Sequence, residues 1–314
     1  MVERDKDIYQ QFRQLRDEVH KRIIGNDTVV NQIIISIFVG GHIILESVPG
    51  MGKTLLLKTI AKTMDADFKR VQCTTDLTES DIIGRLEYDE IAKNYNFRKG
   101  PIFTNLLLMD EINRAQPKTQ SALLEAMAEN EVTIGGVTYP MPRPFIVLAT
   151  QNPIEQVGTN PLPEAQKDRF LFKVVMNYLP IEEEILVIKS KLSDEPINKI
   201  FNPPEILIIR DEIKNNVTIS ESLLEYAVKI VDSSRKRREV MIGASPRASI
   251  AFMEACKTKA FLEGRDYVAV DDIKELAFPI LRHRIILNAD QREFGVTPDD
   301  IIAKVLDLVE PPVD

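Results

Sequence analysis

Tryptophan is absent from this chain, and in 314 residues there are only two cysteines and three histidines. Cys73 and Cys256 stand far apart and outside any metal-ligand spacing, so no disulfide framework is expected and a reducing cytoplasm fits. His20, His42 and His283 form no cluster, which leaves no histidine-based metal centre among the candidates. There is no apolar run long enough to span a membrane, and the start, Met1-Val2-Glu3-Arg4-Asp5-Lys6, is too charged for a secretory signal. No membrane span and a cytoplasmic location are the expectation. Positive charge is also in deficit. The formal net charge of −8 argues against broad binding to nucleic-acid phosphates as the main activity. What is present is an ordinary globular balance, 44% hydrophobic and long enough for two domains.

The first informative stretch is Ile43-Ile44-Leu45-Glu46-Ser47-Val48-Pro49-Gly50-Met51-Gly52-Lys53-Thr54. Its apolar opening reads as a buried strand, its Pro/Gly segment as a tight turn, and Leu55-Leu56-Leu57-Lys58-Thr59-Ile60 as the helix that follows. Glycines at such a turn let several backbone N–H groups face one anion, and the helix N-terminus adds its positive dipole end. Lys53 is placed to reach the β- and γ-phosphates of ATP, and the Thr54 hydroxyl to ligate Mg²⁺. Val48, Pro49, Gly50, Met51, Gly52, Lys53, Thr54 and Leu55 are therefore the candidate nucleotide-binding residues. The motif's first glycine is replaced by Ser47, while the inner Gly50–Thr54 core is intact. Upstream, Gly25 with Asn26 marks a helix stop and restart, and the turn Ile23-Ile24-Gly25 is expected to pack near the adenine.

A second stretch, Asn105-Leu106-Leu107-Leu108-Met109-Asp110-Glu111, is a continuous apolar run ending in two carboxylates, as expected of a central parallel strand. In an open α/β sheet the C-terminal end of a strand is where ligands bind. Asp110 is the candidate to hold Mg²⁺, through water, and Glu111 the candidate to polarise the water that attacks the γ-phosphate. A third apolar strand, Phe145 to Ala149, runs into Thr150-Gln151-Asn152-Pro153. That places the Asn152 amide at the same sheet edge, where it can orient the attacking water.

Strands alternating with helices predict a three-layer α/β domain with a parallel sheet, of the P-loop NTPase class, over residues 1–180. Two hairpins interrupt it, at Gly84 to Gly100 and at Glu131 to Tyr139 with Gly135-Gly136 at the turn. Beyond Pro180 the pattern shows helices alone, near Glu182–Leu192, Pro204–Lys214, Ser220–Ser233, Pro246–Glu263 and Val270–Leu281. Residues 181–314 are expected to form a small all-α lid.

Gly50–Thr54, Met109-Asp110-Glu111-Ile112-Asn113-Arg114-Ala115, Ala149–Pro153, Leu162-Pro163-Glu164-Ala165-Gln166 with Asp168-Arg169-Phe170, and Gly243-Ala244-Ser245-Pro246-Arg247-Ala248 occur in that order. The set closely resembles the MoxR-type AAA+ ATPases, from Ile24 to about Ile286. The resemblance implies ATP hydrolysis with Mg²⁺, Asn152 as sensor 1, Arg169 as the finger supplied to a neighbouring subunit's nucleotide, and Arg247 as sensor 2 on the lid. It also implies a homo-oligomeric ring, a hexamer, with chaperone-like action on protein complexes and partners that carry von Willebrand factor A domains. Two other readings have to be set against it. One is a motor or loader acting on nucleic acid, for which Lys93, Arg98 and Lys99 lie near the first hairpin while the second hairpin tip, Gly135-Gly136, carries no charge, and the basic run Arg235-Lys236-Arg237-Arg238 reads as a solvated helix end. The other is a nucleotide-gated scaffold with little turnover.

Overall fold

A computed structural model of the chain describes residues 3–91, 93–152, 158–189 and 195–312. In order, the chain forms α1 (Glu3–His20), α2 (Asp27–Val39), β1 (Ile43–Ser47), α3 (Lys53–Thr63), β2 (Phe68–Gln72), α4 (Glu79–Ile83), β3 (Gly84–Asp89), β4 (Asn94–Lys99) and β5 (Leu106–Asp110). There follow α5 (Pro117–Glu129), β6 (Glu131–Ile134), β7 (Val137–Pro140), β8 (Ile146–Gln151), α6 (Glu164–Lys167) and β9 (Phe172–Met176). The rest comprises α7 (Ile181–Lys189), α8 (Pro203–Asn216), α9 (Glu221–Arg235), β10 (Val240–Ile242), α10 (Pro246–Leu262), α11 (Val270–Leu281), β11 (Ile286–Leu287), α12 (Ala289–Glu293) and α13 (Pro298–Leu308).

Among the described residues, five strands make one parallel sheet in the order β2-β5-β8-β1-β9. Side chains of a strand alternate between its faces, and the sheet's two cores divide accordingly. Ile43, Leu45, Leu106, Leu108, Ile146 and Leu148 join the cluster under α1, α2 and α3. Ile44, Leu107, Met109, Val147 and Ala149 join the one under α4 and α5. Burial on both faces is why these strands read as continuous apolar runs. Both expected hairpins are present, β3 with β4 and β6 with β7.

The first cluster does not stop at the sheet. Phe12 of α1 meets Phe38 of α2 edge-on at 4.7 Å and lies 5.1 Å from Phe201 and 6.4 Å from Phe261 of α10. The C-terminal helices therefore share one apolar core with the α1–α2 side of the sheet.

Where helices alone are expected, the C-terminal region also holds an antiparallel ribbon, β10 with β11, registered Val240↔Leu287. Strands of three and two residues are too short to show a period of two, and their partners are remote in sequence. The helices α12 and α13 are also additional to the sequence reading. The start of α13 is marked by Thr297, whose hydroxyl accepts from the Asp300 N–H, with Pro298 at the first helical position. Pro153, and residues 190–192 of the helix expected to 192, lie outside the described residues. Among the described residues no helix is long and apolar enough to cross a membrane.

Candidate functional site

β1 ends at Ser47 and α3 begins at Lys53, so the glycine turn lies at the C-terminal edge of the sheet. Gly50 and Gly52 have φ of 85° and 74°, in the left-handed region that side chains resist. Among the described residues, a Cβ added at either would meet nothing within 4 Å. The glycines therefore answer a backbone demand, and the space before them is an open cradle facing the start of an 11-residue helix. Ser47, where the motif has its first glycine, is still within the strand and has no left-handed backbone, so its place asks for no glycine conformation.

Beside the turn is a cavity of about 250 Å³, with Gly50, Met51 and Gly52 at one side and Ile24, Leu55, Leu179 and Val187 as apolar wall. Ile24 thus lines the same cavity as the glycine turn. Gly25 has a φ of 65° and a side chain there would run into the Glu183 carboxylate, so its smallness admits α7 to the edge of the cavity.

Asp110 closes β5 and is buried. Its Oδ1 accepts the Thr150 hydroxyl at 2.6 Å, and its Oδ2 accepts Arg70 Nη2 at 2.6 Å. Glu111 follows in the left-handed region, φ 57° and ψ 51°, a conformation costing about 1–3 kcal/mol for a residue with a side chain and typical of functional sites. Its N–H donates to Thr150 Oγ1 at 2.8 Å and its carboxylate pairs with Arg114 Nε at 2.8 Å. Asn152 is buried one residue beyond β8. Cys73 lies nearby, its N–H bonded to Asp110 O. Burial, reinforced by the Asp110 and Glu111 charges, pushes its thiol up to about 12, so it stays protonated and unreactive.

The glycine turn, Asn152 and the Asp110-Glu111 pair thus leave the same edge of three adjacent strands, β1, β8 and β5. One buried carboxylate and one hydroxyl, Asp110 and Thr54, are hard oxygen donors. They suit Mg²⁺, which keeps waters and phosphate oxygens as its remaining ligands.

Arg169 and Arg247 are elsewhere. β9 runs parallel to β1 with Ile43 beside Phe172, so the residues just before β9 sit at the opposite sheet edge, roughly 13 Å away by strand rise. There Arg169 donates to Leu124 O at 2.8 Å. Arg247, at the start of α10, is 60% exposed with Nη1 3.8 Å from Asp168 Oδ2. The two arginines line one cleft of about 500 Å³ between that edge and α10. The fold brings them together and separates both from Lys53, Asp110 and Glu111 of the same chain.

Arg284, which lies in none of the sequence motifs, organises this edge. Buried beside α11, it donates to Asp168 Oδ1 at 2.9 Å, Phe170 O at 2.6 Å and Leu171 O at 3.1 Å. Ser245 adds a bond to Asp168 Oδ2 at 2.8 Å. The turn that carries Arg169 is thereby tied to two C-terminal helices.

A profile for the ATPase family associated with various cellular activities (AAA) matches residues 42–172, and one for the AAA lid domain matches residues 232–305. Chaperone MoxR1 of Mycobacterium tuberculosis is 40% identical over 94% of this chain and 81% of its own length. The chain belongs to the MoxR-type AAA+ ATPases. Another relative of this family member, the uncharacterized protein YeaC of Bacillus subtilis, is 41% identical over 95% of this chain and 93% of its own. The crystal structure of a candidate ATPase from Cytophaga hutchinsonii superposes with a TM-score of 0.92 at 44% identity, covering 99% of this chain and 98% of that one.

Proposed function

We propose that this MoxR-type chain hydrolyses ATP with Mg²⁺ in a homo-oligomeric ring, a hexamer, and couples hydrolysis to remodelling or maturation of protein complexes in the cytoplasm. Partners with von Willebrand factor A domains fit the family. The observation that carries the catalytic half is the meeting of the open glycine cradle, Asn152 and the two carboxylates at the ends of β1, β8 and β5. In this reading the N–H groups of Gly50 to Thr54 and Lys53 hold the phosphates, and Ile24, Gly25 and Leu55 border the base. Thr54 and Asp110 would hold Mg²⁺, which draws charge from the phosphate oxygens. Glu111 takes the proton of the attacking water, which Asn152 orients. Arg169 and Arg247, at the far edge, serve the nucleotide of an adjacent subunit. The name of the M. tuberculosis relative, a chaperone, supports the remodelling half.

Lys53 acts on the bound phosphates and Glu111 on the transition state, so their removal has different signatures. Lys53→Ala is expected to weaken ATP binding at least about tenfold, and Glu111→Gln to keep binding while cutting turnover at least about tenfold. Titration with a fluorescent ATP analogue and a phosphate-release assay check both. Normal turnover in Glu111→Gln, or unchanged affinity in Lys53→Ala, sinks the assignment. Glu111→Gln held with ATP should also retain protein partners from cell extract that Lys53→Ala does not.

Arg247→Lys keeps the charge but loses the two-pronged guanidinium contact to phosphate. Turnover of the assembled protein should fall about tenfold or more, and parental turnover would reduce Arg247 to its contact with Asp168.

A further inference from the structure

We propose that Thr150 is the positioning residue of the site: its single hydroxyl sets both the metal-holding carboxylate of Asp110 and the backbone of Glu111. The side chain is fully buried on β8, with no exposed surface. A hydroxyl has one proton to give, and here it goes to Asp110 Oδ1 at 2.6 Å. The same oxygen then accepts the Glu111 N–H at 2.8 Å. One atom therefore bridges the last residue of the neighbouring strand and the residue after it, and the second of these has the left-handed backbone of φ 57° and ψ 51°. An N–H with a fixed acceptor holds that unfavourable turn, and with it the direction in which the Glu111 side chain leaves.

Asp110 has a competing partner. Its Oδ2 is bonded to Arg70, whose side chain is 45% exposed and reaches across from β2. Thr150 pulls from the β8 side, where β1 and the glycine turn lie, and Arg70 from the opposite side. Without the hydroxyl, the carboxylate is left to Arg70 and turns away from Thr54. Asn152 stands two residues beyond Thr150 on the same strand end, so this bridge also keeps the carboxylates in step with the amide that faces the same edge. Groups that hydrogen-bond a metal ligand typically change metal affinity about 10–100-fold when removed.

The inference rests on Asp110 holding Mg²⁺, and the experiment separates the two. The affinity of the full-length protein for a fluorescent ATP analogue is measured in EDTA and across a Mg²⁺ titration for the parent, Thr150→Val, Thr150→Ser and Asp110→Asn. Valine keeps the shape and drops the hydroxyl, whereas serine keeps the hydroxyl. Thr150→Val is expected to need about 10–100-fold more Mg²⁺ for the half-maximal gain in affinity, with binding in EDTA unchanged. Thr150→Ser should titrate like the parent. A parental Mg²⁺ midpoint in Thr150→Val beside a shifted Asp110→Asn overturns the role of Thr150 alone. No shift in Asp110→Asn overturns the metal assignment and takes the positioning role with it. Loss of binding in EDTA by Thr150→Val, or a serine variant that behaves like the valine one, makes Thr150 a packing residue and also overturns the proposal.

Discussion

Arg169→Ala is expected to bind ATP normally and to lose about 10³–10⁵ in turnover, the range by which an arginine delivered to a transferring phosphoryl group accelerates the reaction. The reason is geometric. Arg169 precedes β9, at the sheet edge opposite Lys53 and Asp110, so it cannot touch the nucleotide held by its own chain. It can touch one held by a neighbour, and contacts of that head-to-tail kind close into a ring when the rotation allows. Two consequences separate this from a local structural role. Hydrolysis per subunit should rise with protein concentration, as assembly completes each site. Mixing Arg169→Ala with Glu111→Gln should restore part of the activity, because some interfaces then join an intact Glu111 site to an intact Arg169. No recovery in demonstrably mixed rings would return Arg169 to its bond with Leu124 O.

How much of this was readable beforehand follows from the range of the interactions involved. The central strands β1, β5 and β8 were legible because burial on both faces leaves unbroken apolar runs such as Leu106 to Met109, and each ends in a polar residue, Ser47, Asp110 or Gln151. The P-loop and the Asp110-Glu111 pair are local patterns and were legible for the same reason. The ribbon β10–β11 was not, because its registration joins residues 47 positions apart through strands of three and two residues. Thr150 was visible as a letter in a motif, but its bridging role depends on β8 lying beside β5, which no spacing reveals. Arg70 was likewise hidden, since only the pairing of β2 with β5 brings it to Asp110. For Arg247 the motif pointed to a lid residue. Which edge it faces is decided by how α10 packs on α2 and by the Ser245, Arg247 and Arg284 contacts to Asp168.

Acid should destabilise the fold well before its ordinary carboxylates titrate, and His42 and His283 are the cause. His42 uses both ring nitrogens in the neutral form: Nε2–H donates to Met127 O at 3.2 Å, and Nδ1 accepts the Val147 N–H at 3.0 Å. A second proton would set one N–H against another. Burial, helped by the Arg210 charge and opposed by the Met127 bond, holds the imidazole down at about 4. His283 donates Nε2–H to Phe170 O at 3.0 Å, and its buried Nδ1 has no partner among the described residues to receive an added proton's bond. Burial, then the Arg284 charge, lowers it well below its ordinary value. In the unfolded chain both rings return to about 6.5. Between that value and the folded one the unfolded state binds more protons, so the stability is fully present above about pH 6.5 and drains away as pH falls. For His42 the loss is roughly 2 kcal/mol by pH 5 and roughly 3 kcal/mol by pH 4, at ~1.4 kcal/mol per unit. Glu254, raised by burial, pulls the other way, so the measurement has to be differential. Urea unfolding of the parent and of His42→Gln at pH 7.5 and pH 5 supplies it. The substitution costs stability at both pH values, but it should cut the parent's loss between them by roughly 2 kcal/mol. An equal loss in parent and variant would mean that His42 accepts its proton in the folded protein as readily as in the unfolded chain, which its two occupied nitrogens forbid.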